Sequence, residues 1–182
     1  MIDIKLLEQL CLCNGISGDE GNVRNLIINE IKDCADDIKT DNLGNLIVFK
    51  KGKKSAKSKL MVSAHMDEVG LMVTDITSDG YLKFDEVGGI DRRVLPGKRV
   101  CVGRNGLNGV IGVKPIHLTN GDEKTAVPKM NDMYIDIGAK SREDALKYVN
   151  YGDGINFEGD FKINGKTVVT KALDCLLYTS PS

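Results

Sequence analysis

The run Leu60-Met61-Val62-Ser63-Ala64 is the feature that most constrains how this chain can fold. It lies between a lysine-rich segment and His65-Met66-Asp67, and its unbroken apolar character predicts a central strand buried on both faces. Such strands occur in sheets covered by helices, which implies an α/β sandwich. Side chains alternate along a strand, so His65 and Asp67 fall on one face. The imidazole can then bind a metal while the carboxylate orients it from behind. An isolated His-x-Asp is more often a satisfied polar pair, but the carboxyl edge of an α/β sheet is a usual ligand site, and that position favours the metal.

Helical spacing precedes this strand. Ile4, Leu6, Leu7, Leu10 and Cys11 predict a helix from its cap Asp3 to Leu12. Asn14-Gly15-Ile16-Ser17-Gly18 breaks it. Ser17 and Glu20 then have the spacing of a capping box for a second helix, whose buried stripe is Val23, Leu26, Ile27 and Ile31. Strand-like segments over 37–40 and 45–50 flank a turn at Asn42-Leu43-Gly44. The six lysines between Lys50 and Lys59 have no aromatic among them, so a solvated loop is expected there rather than a recognition patch.

After Asp67 the texture changes. Segments over 70–77, 81–86, 98–102, 107–113 and 133–136 are short and rich in β-formers, with turn signals at Asp79-Gly80, Gly88-Gly89, Pro96-Gly97 and Asn105-Gly106. They predict a small antiparallel barrel or sandwich, interrupted by one helix over 141–148. Asn164-Gly165 turns the chain back through 166–171 to Lys171-Ala172-Leu173-Asp174. The expected organisation is a catalytic α/β domain from residues 1–66 and 166–174, interrupted by a β-rich domain over 71–163. Insertions of this kind succeed where chain ends lie close together.

Charge and cysteine usage exclude several function classes. With 25 Lys plus Arg against 26 Asp plus Glu, nothing steers the chain toward nucleic acid or an acidic membrane. No stretch reaches the ~18 apolar residues of a membrane span, so a cytoplasmic protein is expected. Cys11, Cys13, Cys34, Cys101 and Cys175 contain no CxxC pair, and their odd number predicts reduced thiols in packing roles.

The run from His65 to Val73, His-Met-Asp-Glu-Val-Gly-Leu-Met-Val, together with Lys171-Ala172-Leu173-Asp174, resembles the M42 family of di-metal aminopeptidases, which form large tetrahedral particles. Gly15-Ile16-Ser17-Gly18-Asp19-Glu20, the segment 41–47 and the segment 112–117 extend the resemblance over residues 1–174, about the first half of a typical member. The resemblance implies a metallopeptidase α/β sheet, truncated, with an inserted barrel-like domain that dimerises and supports a homo-oligomer. It also implies His65 as a ligand of one metal, Asp67 as the residue orienting it, and Asp174 as the carboxylate bridging two metals. His117 matches a motif of the inserted domain and is not implied as a ligand. Two divalent ions per subunit, zinc or cobalt, and peptide substrates with a free N-terminus follow from the same resemblance. The family's remaining ligands and general base come later in its sequence, so the 182-residue chain is expected to be inactive alone. Beyond Asp174 the match stops. Residues 175–182 resemble a translated transposon-end sequencing adapter and are expected to be a non-native tail.

Two competing readings come from other classes. A glycoside hydrolase needs two carboxyl groups flanking a sugar site. Asp67 and Glu68, adjacent on a strand, would point to opposite sides and pair poorly. The third reading is non-catalytic, with the β-rich domain serving only as an assembly module.

Overall fold

Residues 3–54, 58–113 and 127–172 are described by the computed structural model. They belong to two units: Met1–Glu68 with Gly159–Ser182, and Val69–Glu158.

In the first unit, helix α1 spans Ile4–Leu12, and the Asp3 carboxylate accepts from the amides of Lys5 and Leu6 as its cap. Helix α2 spans Gly21–Ile31 without a side-chain cap. The capping box expected from Ser17 and Glu20 does not form. Glu20 instead accepts from the Gly18 amide at 2.5 Å, and the Ser17 hydroxyl is engaged elsewhere. Strands β1 (Asp37–Thr40) and β2 (Leu46–Phe49) form an antiparallel hairpin. At its turn the Asp41 carboxylate accepts from the amides of Leu43 and Asn45, and Gly44 adopts φ +87, which a Cβ would resist. Arg24 of α2 donates to the Gly44 carbonyl and ties helix to hairpin.

Leu60–Ala64 departs from expectation. These residues form no strand, and Leu60, Met61 and Val62 are 91%, 87% and 81% exposed. A central strand owes its apolar sequence to itself but its hydrogen bonds to neighbours, and no described residue offers a ladder to this run. The stripe of α2 is likewise only part-covered: of its four apolar positions, Val23 alone is buried.

The second unit is a closed antiparallel barrel. Its strands are β3 (Gly70–Ile76), β4 (Leu82–Val87), β5 (Arg99–Val102), β6 (Leu107–Val113), β7 (Met133–Asp136) and β8 (Gly154–Phe157), in the order β3-β4-β7-β6-β5-β8. Five of these follow the expected segments. β8 is an addition: only four residues long with Asn156 inside it, it carries too little apolar pattern to stand out. It pairs with both β3 and β5 and so closes the ladder. A bulge between Val73 and Asp75 shifts the phase of β3, so that Leu71, Val73 and Ile76 all point inward. The expected helix over 141–148 is shorter; α3 is Arg142–Ala145, capped by Ser141. Beyond it the amides of Lys147 and Tyr148 bond three residues back, the tightening common at helix ends. The chain then returns to the first unit as a second hairpin, β9 (Lys162–Asn164) and β10 (Thr167–Val169).

Burial is divided unevenly between the units. Fifteen buried apolar residues, among them Leu71, Leu82, Ile111, Met133, Ile135 and Ile155, form one cluster inside the barrel. Among the described residues of the first unit, only Cys11, Ile16 and Val23 are buried apolar side chains. The barrel therefore holds a core of its own, and the first unit has little of one.

Two outcomes follow. Ile135→Ala, at a fully buried barrel position, should lower stability by about 2–5 kcal/mol in urea unfolding, because a cavity is left in a packed core. Amide exchange should be slowest in β3, β4, β6 and β7 and much faster in α1 and α2.

Candidate metal centre

The His65 segment is held in place by the loop after α1. Glu68 donates its amide to the Gly15 carbonyl at 2.8 Å, and Ile16 and Glu68 form a parallel bridge. Gly15 is required at this approach: a Cβ there would lie 2.5 Å from Cγ2 of Val23. Two short segments far apart in sequence, 14–18 and 65–68, thereby run side by side.

His65 and Asp67 meet as the sequence suggested, although they do so from a loop and not from a strand end. Nδ1 of His65 lies 3.0 Å from Oδ1 of Asp67 and 3.2 Å from the Asp67 carbonyl. Both partners are acceptors when the carboxylate is ionised, so Nδ1 carries the proton of the neutral ring and donates it. The other oxygen of Asp67, Oδ2, accepts from the Ser17 hydroxyl. That hydroxyl, with a smaller contribution from His65, holds the Asp67 carboxyl below the usual carboxylate range, against partial burial that pushes it up. Cys13, Val23 and Ala172 line a shallow cleft beside the pair.

The donor chemistry fits a metal ligand. With Nδ1 committed to a carboxylate, the remaining lone pair is on Nε2, and this is the arrangement seen where a carboxylate orients a metal-binding imidazole. A complete centre is not assembled by these groups: among the described residues no cluster of three or more His, Cys, Asp or Glu could hold an ion. Asp174 and His117 lie outside the described residues, as do positions 175–182.

Behind the pair is a buried ion pair. Nζ of Lys171 is 2.8 Å from Oε1 of Glu68 and 3.3 Å from Oδ1 of Asn14, with the Lys171 and Glu68 side chains only 14% and 12% exposed. Burial pushes the Glu68 carboxyl above its usual range, and the Lys171 ammonium offsets part of that shift. The pair joins the loop after α1, the His65 segment and the 170–172 segment. Immediately after it Ala172 takes φ +64, an uncommon conformation for a residue with a Cβ. Burial also raises the thiols of Cys11 and Cys13, which suits them to packing and not to nucleophilic work.

Sequence reasoning missed both Ser17, assigned to a cap, and the Glu68–Lys171 pair. A signal for Ser17 was present: a serine between glycines at 15 and 18 suggests a backbone path chosen to present that side chain. No local pattern could have paired Glu68 with a lysine 103 residues away.

Lys171→Met is expected to destabilise the first unit by roughly 3–5 kcal/mol, because it leaves a carboxylate buried without its partner. The double change Glu68→Met with Lys171→Leu should recover most of that loss, since it removes both charges together. Urea unfolding of the two variants, followed by probes in α1, makes the comparison.

The family model of the M42 glutamyl aminopeptidases matches residues 44–175. A putative aminopeptidase of Acetivibrio thermocellus is 48% identical over 169 residues, covering 93% of this chain and 48% of that protein. Among solved structures, the Pyrococcus horikoshii TET1 peptidase, which can assemble into a tetrahedron or a large octahedral shell, is 45% identical with a TM-score of 0.81, over 93% of this chain and 51% of that one. A Thermotoga maritima endoglucanase structure is 43% identical with a TM-score of 0.80, over 91% and 49% of the two chains. The chain spans about half the length of the curated relatives it matches. By sequence and fold together, it belongs to the M42 glutamyl aminopeptidase family.

Proposed function

We infer that the full-length protein is a metal-dependent aminopeptidase that removes N-terminal residues from peptides. His65 would hold a metal through Nε2 with Asp67 orienting it, and Asp174 would be the carboxylate shared between two ions. The observation that carries this reading is the 3.0 Å contact between Nδ1 of His65 and Asp67, which fixes one ring nitrogen and frees the other. Two divalent ions, zinc or cobalt, would supply a water of lowered pKa and a polarised scissile carbonyl when bound. His65 contributes a neutral, pre-oriented donor, and Asp67 keeps its tautomer and ring angle constant through turnover. The 182-residue chain offers too few of these groups to hydrolyse peptides alone.

The same reading accounts for Leu60, Met61 and Val62. In a full-length protein the remainder of the α/β sheet would cover that apolar run, which would otherwise be an unusual surface. On the barrel, Val94, Val110, Tyr148 and Tyr151 are exposed apolar or aromatic side chains that contact with a second subunit could cover. This supports the proposal that the barrel mediates homo-oligomer assembly. The glycosidase reading finds no support in the carboxylates. Asp67 is committed to Ser17 and His65, and Glu68 to Lys171, so neither is available to flank a sugar.

Release of amino acids from peptide amides by the full-length protein should be lost with a chelator and restored by zinc or cobalt. Purified 1–182 should show none under either condition. Within the full-length protein Asp174→Asn should lose more activity and metal than Asp67→Asn, for which a 10- to 100-fold loss is the rough expectation. An Asp174→Asn variant with two bound metals and normal turnover would remove Asp174 from the bridging role.

A further inference from the structure

We propose that Ser17 is a positioning residue of the metal centre: its hydroxyl fixes the Asp67 carboxylate, and through it the tautomer and ring angle of His65. This rests on the reading of His65 and Asp67 as a metal ligand and its orienting group.

A carboxylate hydrogen-bonded through one oxygen can still rotate about its Cβ–Cγ bond, a broad and nearly two-fold torsion. Such rotation would swing Oδ1 away from Nδ1 and let the imidazole turn with it. The second bond, from the Ser17 hydroxyl to Oδ2, removes that freedom because both oxygens now have fixed partners on opposite sides. A hydrogen bond to an ionised acceptor is among the stronger kinds, and this one connects two segments 50 residues apart.

The loop carrying Ser17 is built to present it. Gly15 packs where a Cβ would strike Val23, and its carbonyl receives the Glu68 amide. Gly18 adopts φ +89, and the Glu20 carboxylate holds its amide. Ser17 is thus clamped on both sides by backbone contacts that its own side chain does not make. Ile16 packs inward as one of the few buried apolar side chains among the described residues of this unit, and the presentation of Ser17 gives a physical reason for the glycines on either side of that pair.

The order of the groups rules out a nucleophilic role for Ser17. An activated serine donates to a base nitrogen, with the carboxylate behind that base. Here the hydroxyl donates to the carboxylate and His65 is on the far side, so among the described residues no imidazole is placed to take the Ser17 proton.

The chain has two histidines, His65 and His117, so imidazole nitrogen-15 spectra of the 182-residue protein give two ring systems, with His117 as an internal reference. In the parent chain neutral His65 should show its proton on Nδ1. Ser17→Ala should shift its nitrogens toward a mixture of tautomers and weaken zinc binding at His65, followed in the same spectra, by less than the roughly 10- to 100-fold expected of Asp67→Asn. Ser17→Thr, which keeps the hydroxyl, should restore the parent signals, an outcome that a merely structural role would not give. If Ser17→Ala leaves the tautomer and the zinc response unchanged while Asp67→Asn alters both, Ser17 does not position the pair and the His65–Asp67 reading stands without it. The proposal also fails if Ser17→Thr shifts the His65 nitrogens as far as Ser17→Ala. If Asp67→Asn changes nothing either, both the proposal and the reading it rests on are overturned.

Discussion

Closure of the barrel by β8 is the constraint on which the order of this chain depends. Without β8 the five remaining strands would form a sheet left open between β3 and β5, exposing two rows of unpaired amides and carbonyls, and its inward side chains would meet water. The four residues Gly154–Phe157 satisfy both edges at once, pairing with Leu71 and Met72 on one side and with Val100–Val102 on the other. Ile155 then completes the interior beside Leu71 and Val102. All the backbone groups that make this closure lie between Val69 and Glu158, so the unit needs nothing from outside that span to bury its core.

The remaining segments follow the opposite logic. Their order comes from polar contacts between short stretches and not from a shared apolar interior. Asp41 holds the β1–β2 turn, Arg24 reaches Gly44, and Lys171 brings Glu68 and Asn14 together. Such contacts exchange bonds to water for bonds within the chain, so each adds little except where, as for Lys171 and Glu68, the groups are charged and buried. None replaces a hydrophobic core, which explains why apolar residues such as Leu43, Phe49 and Leu60 stay exposed beside well-formed local turns.

The sequence was most legible where structure is local. Alternation and turn dipeptides located β3 to β7 within a residue or two, and Asp3 marked the start of α1, because those signals and the bonds they predict lie within a few residues of each other. Legibility failed where the partner is remote. Leu60–Ala64 has the composition of a buried strand, but pairing is a property of neighbours and none appears among the described residues. β8 was invisible for the converse reason: its place is decided by two strands that need closing, not by its own four residues. At the site, the contact between His65 and Asp67 agrees with the sequence reading, although the strand on which that reading placed them is absent and both lie on a loop. The residues that hold it, Ser17 and the Glu68–Lys171 pair, act across 50 and 103 positions and leave no periodic trace.

Ser17 and Glu20 illustrate why a local signature can be correct in chemistry and wrong in partner. A serine followed three residues later by a glutamate has the donors and acceptors of a capping box, and both side chains do bond to groups near the start of α2 or behind it. What decides between partners is charge. A hydroxyl offered a backbone amide gains a neutral bond, whereas one offered an ionised carboxylate gains a charge-assisted bond of roughly twice the strength. With Asp67 brought within reach by the Gly15–Glu68 backbone contact, the carboxylate takes the hydroxyl and the helix begins uncapped. The cost, about 1 kcal/mol of helix stability, falls on α2, and the gain is a carboxylate whose two oxygens both have fixed partners. Local stability is thus traded for geometry at the His65–Asp67 pair.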